Sequence, residues 1–512
     1  MLTCVVNLGL KSMRAAVFDD RGVRQAIAYR PIESRMGEGL VEQDPELWWS
    51  TALEVLDEVF ADRALAGRCR RVTVTTSAGC LVAIDADGGV VRPAIMISDV
   101  RAREQAARMA HEPAFLDLGS PGGRITPDLM LPKIAWLREC EPAFDDRTRW
   151  FATPNDFLVQ RLTGDLVTDA PNATKYLYEP AAGAYPLALL GSLGIDEERL
   201  PPVVQGDEAI LPLRPWLRER YGFPDDVRVV LSTYDAICAV YGSGVADLGE
   251  ACDVSGTVTS FRAVTDKPER DPAGRLFVIP HVGAGRYLAG GSNNLGGGVI
   301  EWAKQTLYPT DPQPYDAMVA EALDAPPGAA GLTFLPYLLG ERAPVWDATA
   351  RGVFFGLGRN HGRADMIRAI FEGVGYSVLD IADRLREMGV TVERVSASGG
   401  LARLDPINQI KADMLGVPVT LTAELETSAL GAMLVAGVTA GDYPSMSAAT
   451  AACVRTAAAF EPVAARTGMY RDFFGLYRGL YEHLRELFAT REGLIATHAS
   501  VLRTDLARSE NL

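Results

Sequence analysis

Three stretches of small residues have the make-up of loops that hold phosphate: Gly9-Leu10-Lys11-Ser12, Ser255-Gly256-Thr257-Val258-Thr259 and Gly399-Gly400. Glycine lets backbone N–H groups approach phosphate oxygens, and serine or threonine hydroxyls add donors. Asp235, in Leu231-Ser232-Thr233-Tyr234-Asp235, stands at a strand-to-helix switch ahead of a small-residue helix. It has two readings: a helix N-cap, and a general base that takes a hydroxyl proton as a phosphoryl group transfers. A Gly-Gly pair after a strand is also commonly a plain turn. Neither a Walker A loop nor a GxGxxG fingerprint is present, so any phosphate site is of another design.

The elements that position these residues follow from apolar patterning. Leu2–Leu8 and Met13–Phe18 read as strands around Gly9–Ser12, and Val23–Tyr29 as a third strand after the turn Asp19-Asp20-Arg21-Gly22. The same plan recurs half a chain later. Cys252–Val254 and Val258–Val264 flank Ser255-Gly256-Thr257, and Leu276–Ile279 follows. Two such units so far apart predict two similarly built domains rather than a solenoid. Pro45–Phe60 reads as an amphipathic helix. Asp365–Met388 reads as another, with Ile367, Phe371, Val374, Val378, Ile381 and Leu385 at steps of three and four and Gly389 as its stop. Val392–Ser396 is a short strand before Gly399-Gly400. Asp405 is then expected to cap a helix with Pro406 at its first position. Strands alternating with helices predict α/β domains.

A chain of 512 residues exceeds one hydrophobic core, so two large domains are expected. Hydrophobic residues at 48% and charged residues at 23% are ordinary for a globular protein. The net charge of −16, with no basic run, argues against nucleic acid or an anionic membrane as partner. Seven cysteines without a CxxC or a cluster read as reduced thiols, which suits a cytoplasmic location. The opening Met1–Leu10 has no basic n-region and reads as a strand rather than a signal peptide.

Longer motifs resemble one family. Gly352-Val353-Phe354-Phe355-Gly356-Leu357, followed by Asp365-Met366-Ile367-Arg368-Ala369-Ile370-Phe371-Glu372, resembles the C-terminal signature of the FGGY carbohydrate kinases. Phe334–Pro344 is similar to the xylulokinase and gluconokinase branches. Val41–Pro45, Ile84–Gly88, Asp99–Arg101, Pro132–Trp136, Asn155–Gly164, Ser398–Gly400 and Ser428–Ala432 follow in the family's order, so the likeness runs from about Met1 to about Tyr443. Beyond it, Tyr470–Glu486 is expected to be helical and to pack back on the body.

The resemblance implies an α/β fold of two actin-like (ribonuclease H-like) ATPase domains around a central cleft. Residues 1–246 would form the sugar-binding domain, and residues 247–512 the nucleotide-binding domain with its helical tail. It implies a kinase using ATP and Mg²⁺ on a small carbohydrate: a ketose such as xylulose, a sugar acid or a polyol. By residue match Asp235 is the catalytic base. Gly9, Lys11, Ser12, Gly256, Thr257, Gly296, Gly297, Gly399 and Gly400 fall on the nucleotide side. Ala78, Gly79, Asp99, Arg101 and Asp235 fall on the substrate side, and Asn7 at the metal. Homodimers are common for the fold, and no motif marks one here.

Three departures bear on activity. The first loop of the family usually begins with an aspartate and carries a threonine, where this chain has Asn7 and Leu10. Asn7 gives up the charge that a hard cation prefers. Lys11 reads either as a replacement phosphate contact or as a solvated lysine. In the sugar pocket, Ala78-Gly79, Ile97 and Val100 stand where many relatives have hydroxyl-binding or aromatic groups, so an ordinary pentulose would lose hydrogen bonds. These changes keep open a second reading, a degenerate homologue that binds nucleotide or ligand as a regulator without phosphorylating it.

Overall fold

A computed structural model describes residues 1–499 apart from 38, 117, 119–123, 181, 270, 283 and 284. The chain forms two compact units. The first holds Met1–Leu248, Val264–Leu288 and Thr422–Arg455, and the second holds Gly249–Ala263, Ala289–Leu421 and Thr456 onward. The change of unit at Leu248 lies beside the boundary expected at 246, but two later segments return to the first unit.

The first unit is built on a six-stranded sheet. Its strands are β1 (Leu2–Gly9), β2 (Ser12–Asp19), β3 (Arg24–Pro31), β4 (Cys69–Thr76), β5 (Ile210–Pro212) and β6 (Arg228–Val230), in the order β5-β6-β4-β1-β2-β3. β1 pairs antiparallel with β2 and parallel with β4. Leu2, Cys4, Val5, Val6 and Leu8 are all buried, because helices cover both faces of this central strand. One covering helix is α1 (Pro45–Val59), which Asp44 caps by accepting from the Glu46 N–H.

Two further helices of this unit, α2 (Asp235–Gly242) and α6 (Thr427–Thr439), cross at backbone contact. A β-carbon at Gly242 would overlap the Thr427 carbonyl, and one at Gly431 the Cys238 carbonyl. This crossing holds the late segment Thr422–Arg455 to the first unit. Only glycine on both helices permits so close an approach.

The second unit repeats the plan. Six of the seven strands of its sheet, β7 (Gly249–Ser255), β8 (Thr259–Thr265), β9 (Tyr287–Ser292), β10 (Val392–Ser398), β11 (Val419–Thr422) and β12 (Thr456–Phe460), run in the order β9-β8-β7-β10-β11-β12, and Phe277–Pro280 pairs beyond β9. β7 pairs antiparallel with β8 and parallel with β10, as β1 does with β2 and β4. The duplication read from the two hairpins is thus a duplication of sheet topology.

Three helices of the second unit are α3 (Gly297–Leu307), α4 (Arg363–Glu387) and α5 (Asp405–Leu415). The expected cap at Asp405 is not formed. Leu404 occupies the N-cap without a side-chain bond, and Asp405 is the first helical residue. The tail helix α7 (Ala464–Thr497) docks through buried Tyr470, Phe474 and Tyr477. The Tyr470 hydroxyl donates to Glu372 at 2.7 Å and accepts from Arg368 at 2.8 Å, a buried and satisfied network on α4. No helix among the described residues is long and apolar enough to cross a membrane.

Candidate active site

In the first unit the β1–β2 turn meets the end of β4 and the start of α2. Gly9 and Ser12 close the hairpin as its last pair, leaving Leu10 and Lys11 at the tip. Leu10 is 40% exposed and Lys11 is exposed too, and the tip is pinned by its carbonyls. Gln43 donates to the Leu10 oxygen at 2.8 Å, and the Ile32 N–H to the Lys11 oxygen at 2.9 Å. Asn7 is buried in β1, opposite Arg14 on one side and Thr75 on the other.

The chain leaves β4 through Ser77, whose N–H bonds to the Leu8 oxygen at 3.0 Å. Its hydroxyl donates to Asp235 Oδ2 at 3.2 Å. Tyr234 is the N-cap of α2, so Asp235 sits in the first turn and not at the cap. An anionic side chain there is favoured by the helix dipole. The capping reading of Asp235 therefore falls. The role of Ser77 is not legible in the sequence, since 158 residues separate it from Asp235.

Ala78 and Gly79 follow directly. Gly79 has φ +70°, and a β-carbon on it would lie 2.7 Å from the Asp128 oxygen and 3.5 Å from Ile97 Cγ1. Buried Lys133 anchors this turn through hydrogen bonds to the carbonyls of Gly79 and Asp128. Burial holds the Lys133 pKa below the ordinary lysine value, against the pull of neighbouring Cys80, Asp128 and Asp99.

Asp99 is 1% exposed and fully engaged. It accepts from the Val41 N–H at 2.8 Å and from the Arg101 N–H at 3.0 Å, and it pairs with the Arg101 guanidinium at 2.7 Å. Arg101 also pairs with Glu42 at 2.9 Å and lies 4.7 Å over the Trp136 ring. Asp99 thus orients Arg101 rather than presenting a bare carboxylate.

In the second unit, three turns converge. The N–H of Gly296 bonds to the Thr257 oxygen at 2.9 Å, and that of Gly297 to the Gly256 oxygen at 2.8 Å. A β-carbon on Gly297 would come 2.6 Å from the Gly256 oxygen and 3.6 Å from Leu401, next to Gly400. Gly399 has φ +87°, and a β-carbon there would lie 2.5 Å from the Ser255 oxygen. Around Gly400 the space is open. All six second-unit candidates, Gly256, Thr257, Gly296, Gly297, Gly399 and Gly400, therefore meet in one glycine-lined cradle of the kind that admits phosphate oxygens.

Beneath that cradle is a buried network. Lys411, from α5, forms an ion pair with Asp253 at the end of β7. It also donates to Ser255 Oγ at 3.0 Å, while Ser255 donates to Asp253 at 2.6 Å and lies 3.0 Å from Thr259 Oγ1. Asn293 fixes the other side of the loop by accepting from the Thr259 N–H at 2.9 Å. Sequence reasoning missed Asp253 and Lys411. Lys411 falls in a helical pattern that reads as an ordinary face, and nothing local points it at β7.

Two units of one topology, each a hairpin with a parallel neighbour strand and a small-residue turn, define an actin-like pair of ATPase domains. Residues 2–242 match the N-terminal domain and residues 253–440 the C-terminal domain of the FGGY family of carbohydrate kinases. The chain belongs to this family and is a carbohydrate kinase. Xylulose kinase of Bacillus subtilis is 27% identical over 487 residues, covering 94% of this chain and 97% of the relative. Gluconokinase of the same organism is 26% identical, covering 86% and 88%. Among solved structures, gluconate kinase from Lactobacillus acidophilus superposes with TM-score 0.89 at 26% identity, over 96% of this chain and all of that one. Ligand-bound xylulose kinase from the same organism gives 0.88 at 26% identity, over 95% and 99%.

Proposed function

We propose that the protein transfers the γ-phosphoryl group of ATP to a hydroxyl of a small sugar, sugar acid or polyol, with Asp235 as general base. The observation that carries this reading is the setting of Asp235. It is a part-exposed carboxylate in the first turn of α2, oriented by Ser77, on the same turn that leads to Ala78 and Gly79. The relatives, a xylulose kinase and a gluconokinase, support a small polyhydroxy acceptor.

The chain's own groups divide the work. In the transfer, the acceptor oxygen bonds to the γ-phosphorus as the bond to the ADP oxygen breaks, and Asp235 takes the hydroxyl proton. Thr257 and the backbone N–H of Gly400 would hold the phosphate chain, while Gly256 and Gly297, whose N–H groups are used within the loop, line its path without side chains. Gly9, Lys11 and Ser12 of the first hairpin would complete the charge stabilisation. Arg101, oriented by Asp99, and Ala78-Gly79 lie on the acceptor side. Mg²⁺, when bound with the nucleotide, would neutralise phosphate charge. Asn7 would orient one of its waters, which a neutral amide can do, because this cation keeps several waters and is bound in part through the phosphates.

Asn7 and Leu10 are also the features that favour the second reading, a nucleotide-binding homologue without transferase activity. A coupled assay of ADP formation separates the two. Acceptor-dependent ADP release that Asp235→Asn abolishes supports the kinase. ATP binding without acceptor-dependent turnover supports the homologue.

A further inference from the structure

One charged group of the first unit has no work in the scheme above. Lys175 lies in the turn Thr174–Tyr176, after the short helix that Asp169 caps. Its ammonium stands 5.1 Å over the ring of Tyr234, the residue directly before Asp235. The side chain is half-buried, and it has no carboxylate partner among the described residues. It is also close enough to Lys133 that the two ammonium groups repel, and Lys133 is already committed to the carbonyls of Gly79 and Asp128.

A half-buried ammonium without a counter-charge is costly, and the face of Tyr234 offsets only part of that cost. Meanwhile the neighbouring wall is poor in hydroxyl-reading groups. Ala78 and Ile97 are apolar, and Gly79 has no room for a side chain. Recognition here therefore rests on charge more than on a net of neutral hydrogen bonds.

We propose that Lys175 is a specificity-determining residue that pairs with a carboxylate of the acceptor, so that the preferred substrates are sugar acids. This rests on the kinase reading and narrows it. The acid's hydroxyl would face Asp235 while its carboxylate meets the ammonium, which explains how a pocket short of hydroxyl ligands still fixes an acceptor.

The test pairs five- and six-carbon aldonates with the matching alditols and ketoses, scored by ADP release in wild type, Lys175→Met and Lys175→Arg. Calorimetric binding of each aldonate without ATP runs alongside. A charge-assisted hydrogen bond lost at a partly buried site raises KM roughly ten- to hundredfold. That rise is expected in Lys175→Met for aldonates only, with neutral acceptors within about twofold, and Lys175→Arg should recover most of it. Preference for a neutral acceptor, or an equal effect of Lys175→Met on acids and neutrals, overturns the inference and leaves the kinase standing. Aldonate binding that needs Lys175 but gives no ADP supports the inference and overturns the kinase. No turnover and no binding with any compound overturns both.

Discussion

Replacing Lys411 by methionine removes the only cation paired with Asp253 among the described residues, at a site where both side chains are almost wholly buried. Breaking one partner of such a pair typically costs about 3–5 kcal/mol, because a charge is left uncompensated in a poor solvent. Against a usual domain stability of about 5–15 kcal/mol this is a large fraction. Ser255 continues to donate to Asp253 at 2.6 Å, so the lower half of the range is expected. The same change frees Ser255 from the lysine and loosens Thr259, and with them the loop carrying Gly256 and Thr257.

Two signatures should therefore appear together: a lower urea midpoint, and a KM for ATP raised about tenfold or more with a smaller change in kcat, the pattern of lost ground-state binding. The double variant Lys411→Met/Asp253→Asn removes both charges. It should recover stability relative to Lys411→Met alone while the ATP KM stays high. A single variant within about 1 kcal/mol of wild type and with unchanged ATP KM would refute the claim that this buried pair supports the phosphate loop.

Further outcomes follow from the same geometry. Asp235→Ala should lower phosphorylation by roughly 10²–10⁴ while ATP affinity, measured by calorimetry, stays within a few-fold; lost nucleotide binding would count against its role as base. Gly399→Ala places a β-carbon 2.5 Å from the Ser255 oxygen at φ +87°, so ATP binding should weaken and stability fall by about 1–3 kcal/mol. Asn7→Asp should lower the Mg²⁺ concentration needed for half-maximal rate; an unchanged titration would separate this residue from the metal.

The carboxyl of Glu341 is pushed by burial from 4.5 to about 8, against two N–H donors at 2.7 Å from Asn294 and Arg342. A raised carboxyl pKa means the folded chain holds the proton more tightly. Its contribution is full below about 4.5 and is lost as pH climbs through about 8. Thermal melts of Glu341→Gln between these limits should show a shallower fall with pH than wild type, and parallel curves would contradict the assignment.

The sequence was most legible where the signal is local. The hairpins at Gly9–Ser12 and Ser255–Thr259 announced themselves as apolar runs broken by small residues, and α4 as a long stripe at helical spacing. The second-unit glycines Gly256, Gly296, Gly297, Gly399 and Gly400 converge because each turn follows its own strand or opens its own helix. What stayed hidden depends on distant partners. The return of Thr422–Arg455 to the first unit is fixed by Gly242 against Gly431, two glycines that read separately as ordinary helix residues. Lys411 and Asp253 are 158 residues apart. The capping reading of Asp235 and the cap expected at Asp405 failed for a smaller reason. Each helix begins one residue earlier than its aspartate suggests, which puts the carboxylate inside the first turn.

The central claim is that Asp235 deprotonates an acceptor hydroxyl, and its most direct test is ADP release from Mg-ATP across ketoses, sugar acids, polyols and cyclitols, with wild type beside Asp235→Asn. The account requires an acceptor-dependent signal that falls at least about a hundredfold in the variant while ATP still binds. A variant that keeps its acceptor-dependent rate within about tenfold, or a wild type that binds ATP and stays silent across the whole panel, would contradict it.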